Sequence, residues 1–281
     1  MRFVELCAGG AAVSMHLLGS SAPAAYLGGK RTWAPAIVAL LGLERPQELH
    51  LVEPGPWGRV WQALSNRTDA TVALLCLERW VGRDSKELWV ELAEAPVPKD
   101  AGVFAATFLH LQTCSFGGKP VRVDGDRWKT PGFANLAVSA RERGFVERTP
   151  VRLTLPRVER AVAALQALPV RVDVLRAQEL LPSEARGSVV LLDPPYAGRE
   201  GYADSFVRED VVQVAQGWAE AGAVVAVCEA EPVGELLEAG WQARKLWRTN
   251  RQPRTAMGAP VEWITANRLT AARPVQQMHA W

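Results

Sequence analysis

Three features of this chain predict an α/β fold built on a doubly wound, mostly parallel sheet. Short apolar runs alternate with helical patterns along most of its length. The first strand, Phe3-Val4-Glu5-Leu6, passes directly into the small-residue turn Cys7-Ala8-Gly9-Gly10 and then a helix, the opening unit of a nucleotide-binding α/β fold. A continuous apolar run, Val189-Val190-Leu191-Leu192, ends on Asp193-Pro194-Pro195-Tyr196. That is the signature of a buried parallel strand delivering polar groups to its carboxyl edge, where open α/β sheets bind ligands.

The elements follow in order. Ala11 to Leu18 reads as the first helix and Gly19 to Pro23 as a loop. Tyr26-Leu27-Gly28-Gly29-Lys30 reads as a tight turn before a helix from Pro35 to Leu41. Leu49-His50-Leu51-Val52-Glu53 is the second strand and ends in an acid. Val60 to Trp80 reads as one helix and Ser85 to Ala95 as the next, separated at Gly82. Pro96-Val97-Pro98 precedes a helix through Leu111. The stretch from Gln112 to Asn135 is polar, glycine-rich and basic with little periodicity, and structureless segments of that length inside compact domains are usually functional. An amphipathic helix spans Leu153 to Leu168, and strands follow at Val170–Val174 and Val189–Asp193. A helix from Asp210 to Ala221 feeds a buried strand, Ala223–Val227, and Val261 to Ala266 is the last strand before a loose tail. This order predicts a sheet domain from residues 1–54 and 151–281, interrupted by an insert at 55–150.

Composition excludes several classes. The chain has 281 residues, 48% of them hydrophobic and 22% charged, as expected of a globular protein and not of a disordered one. No apolar stretch approaches the ~20 residues that span a bilayer, and the first strand begins at once, without a signal peptide. The four cysteines, Cys7, Cys76, Cys114 and Cys228, lack metal or redox spacing and read as reduced thiols of a cytoplasmic protein. Net charge is only +2, yet cations concentrate at Arg122, Arg127, Lys129, Arg141, Arg143, Arg148, Arg152, Arg157 and Arg160, and again at Arg244, Lys245, Arg248, Arg251 and Arg254. Such clusters suit a surface facing phosphates; the arginine-rich, lysine-poor usage of a GC-rich genome would give the same pattern.

Asp193-Pro194-Pro195-Tyr196 carries the chemistry. A nucleobase amine is a poor nucleophile because its lone pair is delocalised into the ring. The Asp193 carboxylate and the Pro194 carbonyl supply two acceptors for the amine hydrogens. Two prolines fix the direction of that carbonyl, and the Tyr196 ring can stack on an extruded base. Upstream, the glycine turn allows close backbone approach to a ligand, Glu53 stands where a carboxylate commonly grips ribose hydroxyls, and Asp173 lies near the end of the third strand, where it could accept from an adenine amine.

With these residues in order, nearly the whole chain resembles the Dam-type DNA adenine-N6 methyltransferases. Phe3 to Gly10, including Glu5, Cys7, Ala8, Gly9 and Gly10, resembles the family's S-adenosyl-L-methionine motif, and Asp193 to Tyr196 is its catalytic tetrapeptide unchanged. Tyr26 to Lys30 resembles its aromatic-x-Gly-Gly-Lys segment, which lies by the cofactor. Gln112 to Lys119, with Lys129-Thr130-Pro131-Gly132, resembles its DNA-contacting segment. Asp173 matches the acid that holds the cofactor adenine, Tyr202 and Phe206 match aromatics after the catalytic motif, and Glu262 to Asn267 resembles its closing strand. The Gly-Gly-Lys segment here follows the cofactor motif instead of preceding it. Leu6-Cys7 replaces Pro-Phe, Ala11 replaces a third glycine, and Cys114 and Lys119 alter the DNA segment.

The resemblance implies a Rossmann-like methyltransferase sheet with a DNA-recognition insert, S-adenosyl-L-methionine as cofactor without a metal, and double-stranded DNA as partner in a prokaryotic or phage-infected cytoplasm. It implies catalytic roles for Asp193, Pro194, Pro195 and Tyr196. Cofactor contacts are implied for Glu5, Cys7, Ala8, Gly9, Gly10, Tyr26, Lys30, Glu53 and Asp173, and DNA contacts for Ser115, Phe116, Lys119, Arg122, Lys129 and Tyr202. Cytosine-N4 or RNA methylation and a DNA-binding module with a relic site remain as alternatives. Methylation of a protein glutamine fits less well, since Asn rather than Asp opens the motif associated with that chemistry.

Overall fold

The computed structural model describes residues 1–24, 29–134, 150–182, 185–195, 206–246 and 261–270. The chain opens with β1 (Arg2–Leu6), α1 (Ala12–Leu17), α2 (Ala34–Leu41) and β2 (Glu48–Val52). Four helices follow: α3 (Pro56–Ser65), α4 (Arg67–Trp80), α5 (Ser85–Glu94) and α6 (Ala101–Thr113). A small hairpin, β3 (Arg122–Asp124) and β4 (Arg127–Lys129), then precedes α7 (Pro150–Gln166). The remainder is β5 (Val170–Asp173), β6 (Ser188–Leu192), α8 (Arg208–Glu220), β7 (Val224–Glu229), α9 (Gly234–Glu238), β8 (Gln242–Lys245) and β9 (Trp263–Ala266).

Apart from the hairpin, the strands form one seven-stranded sheet in the order β5-β2-β1-β6-β7-β9-β8. The first five are parallel, and β9 runs antiparallel to both neighbours. The protein is therefore α/β with a mostly parallel mixed sheet, as its alternating pattern predicts. The order reverses between β1 and β6, so the carboxyl ends of those two strands flank a switch point, where the connections diverge and leave a crevice.

Both sheet faces are covered, which is why β6 reads as an unbroken apolar run. Phe3, Leu49 and Leu191 belong to one buried cluster with residues of α1 to α4, α6 and α7. Val4, Leu6, Val190 and Leu192 face the other way, into a cluster with Val211, Ala215 and Trp218 of α8 and Leu236 of α9. Apolar residues on both faces define register weakly, but Glu5 does so strongly. Its carboxylate accepts from the Ser14 backbone N–H at 2.9 Å and from the Ser14 hydroxyl. A one-residue slip of β1 would turn Glu5 away from Ser14, a loss of the size that buried unpaired acids impose.

The structure amends the sequence reading in four places. The helix expected from Val60 to Trp80 is two helices. Asn66, in an extended conformation, caps α4 by accepting from the Thr68 and Asp69 N–H groups, and a cap of this kind contributes about 1 kcal/mol. The irregular stretch after Gln112 contains the β3–β4 hairpin, turned at Gly125 with φ 60°. The second strand ends at Val52, so Glu53 lies just beyond it. Strand β8 and helix α9 carry no strong apolar period and escaped sequence inspection.

The helices from α3 to α6 are not a separate layer. Trp57 and Trp61 stack at 5.8 Å between centroids, Phe108 meets Trp57 edge-on at 5.1 Å, and Trp128 of the hairpin stacks on Phe104 at 5.3 Å. One buried cluster thus runs from the sheet to the hairpin. Among the described residues no helix is long and apolar enough to cross a membrane.

Candidate active site

The turn after β1 is tightly wound. Cys7 (φ 56°), Gly9 (φ 46°) and Ala11 (φ 45°) all take left-handed backbone conformations. For Cys7 and Ala11 this costs on the order of 1–2 kcal/mol each, so the surroundings must impose it. The Ala8 N–H donates to the Val52 carbonyl at 3.1 Å, and the Asp193 N–H donates to the Leu6 carbonyl at 3.2 Å. The fully buried Trp61 donates its indole N–H to the Gly9 carbonyl at 2.7 Å. Glu53 closes the turn from β2, accepting from the Gly9 N–H at 2.9 Å and from the Gly55 N–H at 3.2 Å. Ala8 is buried, as is Gly10; both shape the turn through backbone. Burial pushes the Glu5 carboxyl up to about 7 against the opposing bonds from Ser14. Glu5 thus tethers β1 to α1 and is not among the residues lining the cavity below.

Asp193, Pro194 and Pro195 leave β6 on the other side of the switch point. The Lys30 ammonium lies 2.6 Å from Asp193 Oδ1 and 3.5 Å from Glu262 Oε1, and the Lys30 side chain is only 4% exposed. Burial pushes the Asp193 carboxyl up to about 6; Lys30 opposes the rise, while Glu262 and Glu53 add to it. Burial alone would lower Lys30, but the charges of Asp193 and Glu262 outweigh it and hold the ammonium above its ordinary range. At the end of β7, burial pushes the Glu229 carboxyl up to about 7, with Arg208 opposing.

A cavity of about 400 Å³ opens along this edge. Cys7, Gly9, Glu53, Asp193 and Pro195 line its sheet side, and Trp57 and Arg59 of α3 and Phe206 also border it. Pro120, Val121, Arg122 and Val123 bring the hairpin strand against it, and Arg176, Ala177 and Gln178 complete the rim. Burial raises the Cys7 thiol far above its ordinary range, assisted by Glu53 and Asp193, so this cysteine is a neutral wall group.

Asp173, expected to hold the cofactor adenine, is engaged by two neighbouring side chains. Its carboxylate accepts from His50 Nε2 and from Arg171, each at 2.9 Å, and it does not line the cavity. Burial works against its ionisation, but those two bonds prevail and hold its carboxyl below the ordinary range. Lys30, expected beside the cofactor, contacts Asp193, which lines the cavity. Tyr26, Tyr196 and Tyr202 lie outside the described residues, as do Arg141, Arg143, Arg148, Arg248, Arg251 and Arg254.

Of the insert residues, Phe116 is 59% exposed, and Lys119, Arg127 and Lys129 are exposed as well. Lys129 pairs with Asp124 at 2.6 Å across the hairpin. Ser115 is buried, its hydroxyl donating to the Lys119 carbonyl at 2.5 Å, so it braces the loop. Gln112 holds the same loop by donating to the Lys119 carbonyl and accepting from the Val121 N–H. Sequence reasoning did not single out Ser14, Trp61 or Glu229. Ser14, on the first helix near the end of the turn, carried the only local signal; the other two are brought in by tertiary packing.

Fold and site together define an α/β protein with a ligand-sized cavity at the carboxyl edge of its sheet. No protein-family model matches the chain, and comparison with curated proteins finds no match. Among the described residues no three His, Cys, Asp or Glu side chains cluster as a metal site.

Proposed function

We propose that this chain is an S-adenosyl-L-methionine-dependent DNA adenine-N6 methyltransferase with a Rossmann-like catalytic sheet. One observation carries the reading: Asp193 and Pro195 at the end of β6 and the Gly9–Glu53 turn after β1 meet at one cavity, on the two strands flanking the switch point. The lining suits the cofactor. Its volume falls in the range of small-molecule sites. Carboxylates at the sheet edge and the arginines Arg59 and Arg176 elsewhere in its lining suit a ligand bearing both a cation and a carboxylate. Gly9 and Glu53 would hold it, Glu53 exchanging its bonds to backbone N–H groups for hydroxyls. Once bound, the group supplies a methyl already activated on sulfonium.

The protein's own work is orientation and charge. Asp193 Oδ1 is held by Lys30, which leaves Oδ2 for one amine hydrogen, and the Pro194 carbonyl accepts the other. These acceptors favour the pyramidal, nucleophilic amine and stabilise positive charge developing on nitrogen. Pro195 and Phe206 restrict water, and Tyr196 is assigned the stacking role. The exposed Phe116, Lys119, Arg127 and Lys129 make the hairpin side of the cavity the DNA face, with cations on phosphates giving affinity without sequence information.

The test is transfer of labelled methyl to duplex DNA, with modification-sensitive sequencing of the product. N6-methyladenine is expected from the native chain. Asp193→Ala should lose on the order of 10²- to 10³-fold in turnover while retaining cofactor binding. N4-methylcytosine or methylated RNA as the product would replace the adenine assignment, and cofactor binding without transfer would identify a relic site.

A further inference from the structure

Lys30 reaches the catalytic edge from a 3-10 turn following Gly29, whereas Glu262 arrives just before β9. A buried ammonium survives only where carboxylates replace its water, and it has two at 2.6 and 3.5 Å. The three groups form a Glu262–Lys30–Asp193 row, Glu262 and Lys30 buried and Asp193 partly so, with one more acid than base.

We propose that Lys30 and Glu262 act as a charge clamp on Asp193, with Lys30 a positioning residue that keeps this carboxylate ionised and rotationally fixed and Glu262 competing for the same ammonium. The inference rests on the methyl-transfer reading. The rest of the neighbourhood makes the clamp necessary. Glu5 on β1, Glu53 after β2, Glu229 on β7 and Glu262 all raise Asp193 or are raised by it, and the thiols of Cys7 and Cys228 add no cation. Arg208 acts on Glu229. Lys30 is the cation in direct contact with Asp193. Without it, a carboxyl facing so many acids takes up a proton and loses acceptor capacity for the target amine. Lys30 also occupies Oδ1 and so determines which oxygen faces the amine.

The clamp predicts opposite effects for its two ends. Lys30→Met should move the Asp193 midpoint up by about one pH unit or more, the size expected when an opposite charge in contact is removed. Glu262→Gln should move it down, because Lys30 then serves Asp193 alone. The midpoint is read without reference to turnover, by NMR titration of protein carrying 13C-carboxyl aspartate, with Asp193→Asn assigning the resonance. In parallel, the acid limb of kcat/KM for DNA methylation should follow the same two directions. Lys30→Met should lose on the order of tenfold or more in kcat at neutral pH with little change in cofactor affinity, and Lys30→Arg should restore most of the midpoint. The charge-balanced Lys30→Met/Glu262→Gln double variant and the single Glu262→Gln serve if Lys30→Met does not fold. An unmoved midpoint in Lys30→Met, a double-variant midpoint no higher than that of Glu262→Gln alone, or a shift in the same direction in both single variants overturns the clamp, even where activity is lost. Failure of the native chain to methylate any nucleic acid would sink the functional reading and leave the NMR result standing.

Discussion

Replacing Glu5 by glutamine gives a quantitative test of the β1–α1 junction. The side chain is 2% exposed and its carboxyl stands at about 7 instead of 4.5, chiefly through burial. The native state therefore binds the Glu5 proton more tightly than the unfolded chain. This contribution is fully present below pH 4.5 and is lost as pH rises through 7. Each unit of difference corresponds to about 1.4 kcal/mol, so 2.5 units is about 3 kcal/mol at full ionisation, of which about 2 to 3 kcal/mol accrues between pH 5 and pH 8. Glutamine keeps the shape and can still accept from the Ser14 N–H, but it does not titrate. Glu5→Gln should therefore gain about 2 to 3 kcal/mol relative to the native chain on going from pH 5 to pH 8. Urea unfolding of both proteins at the two pH values measures the difference. Histidines such as His110, whose pKa burial lowers to about 4, push native stability the opposite way with pH, but they contribute equally to both proteins and cancel. A stability difference that stays flat between pH 5 and pH 8 would refute the assignment of Glu5 as a buried, proton-linked tether.

Further outcomes follow from the other carboxylates and from the insert. Glu53→Ala should weaken S-adenosylmethionine binding by about 1–3 kcal/mol in calorimetry, whereas Asp173→Ala should leave that affinity nearly unchanged and lower thermal stability, because its partners are His50 and Arg171. Trp61→Phe strips the indole donor from the Gly9 carbonyl and should destabilise the fold by about 1–3 kcal/mol while weakening the cofactor, as measured by denaturation and titration. Replacing Arg122 and Lys129 together by alanine should weaken binding to every DNA sequence and reduce the salt slope by about 1 for each phosphate no longer neutralised. Phe116→Ala should instead change turnover or site preference, read from competition between sites.

The parallel strands were legible because burial on both faces writes itself as Val/Leu runs, and the glycine turn and Asp193-Pro194-Pro195 stood at strand ends where periodicity stops. The Asn66 break was hidden because apolar positions continue through it, although an Asn followed three residues later by Asp is a cap signal. The Gly125-Asp126 pair likewise marks a hairpin turn that short, charged strands conceal. Strand β8, Gln-Ala-Arg-Lys, lacks an apolar face because it lies at the sheet edge. Which acid faces which cation was not legible. Lys30, Asp193 and Glu262 come from distant segments, and only the strand order brings them together. The same tertiary accident draws Asp173 toward His50, its diagonal neighbour across the β2–β5 pairing.

Among the described residues the sheet has two edge strands, and both carry exposed cations. Edge strand β5 exposes Arg171, and edge strand β8 exposes Arg244 and Lys245. An edge strand presents unpaired backbone groups on which another chain can template, and each of these is only four residues long. Bringing two copies edge to edge would set like charges side by side while offering few hydrogen bonds in return. The arginines and lysine that look like a phosphate-seeking cluster in the sequence thus have a second physical consequence. Like charge at both edges disfavours edge-to-edge pairing of copies through these strands.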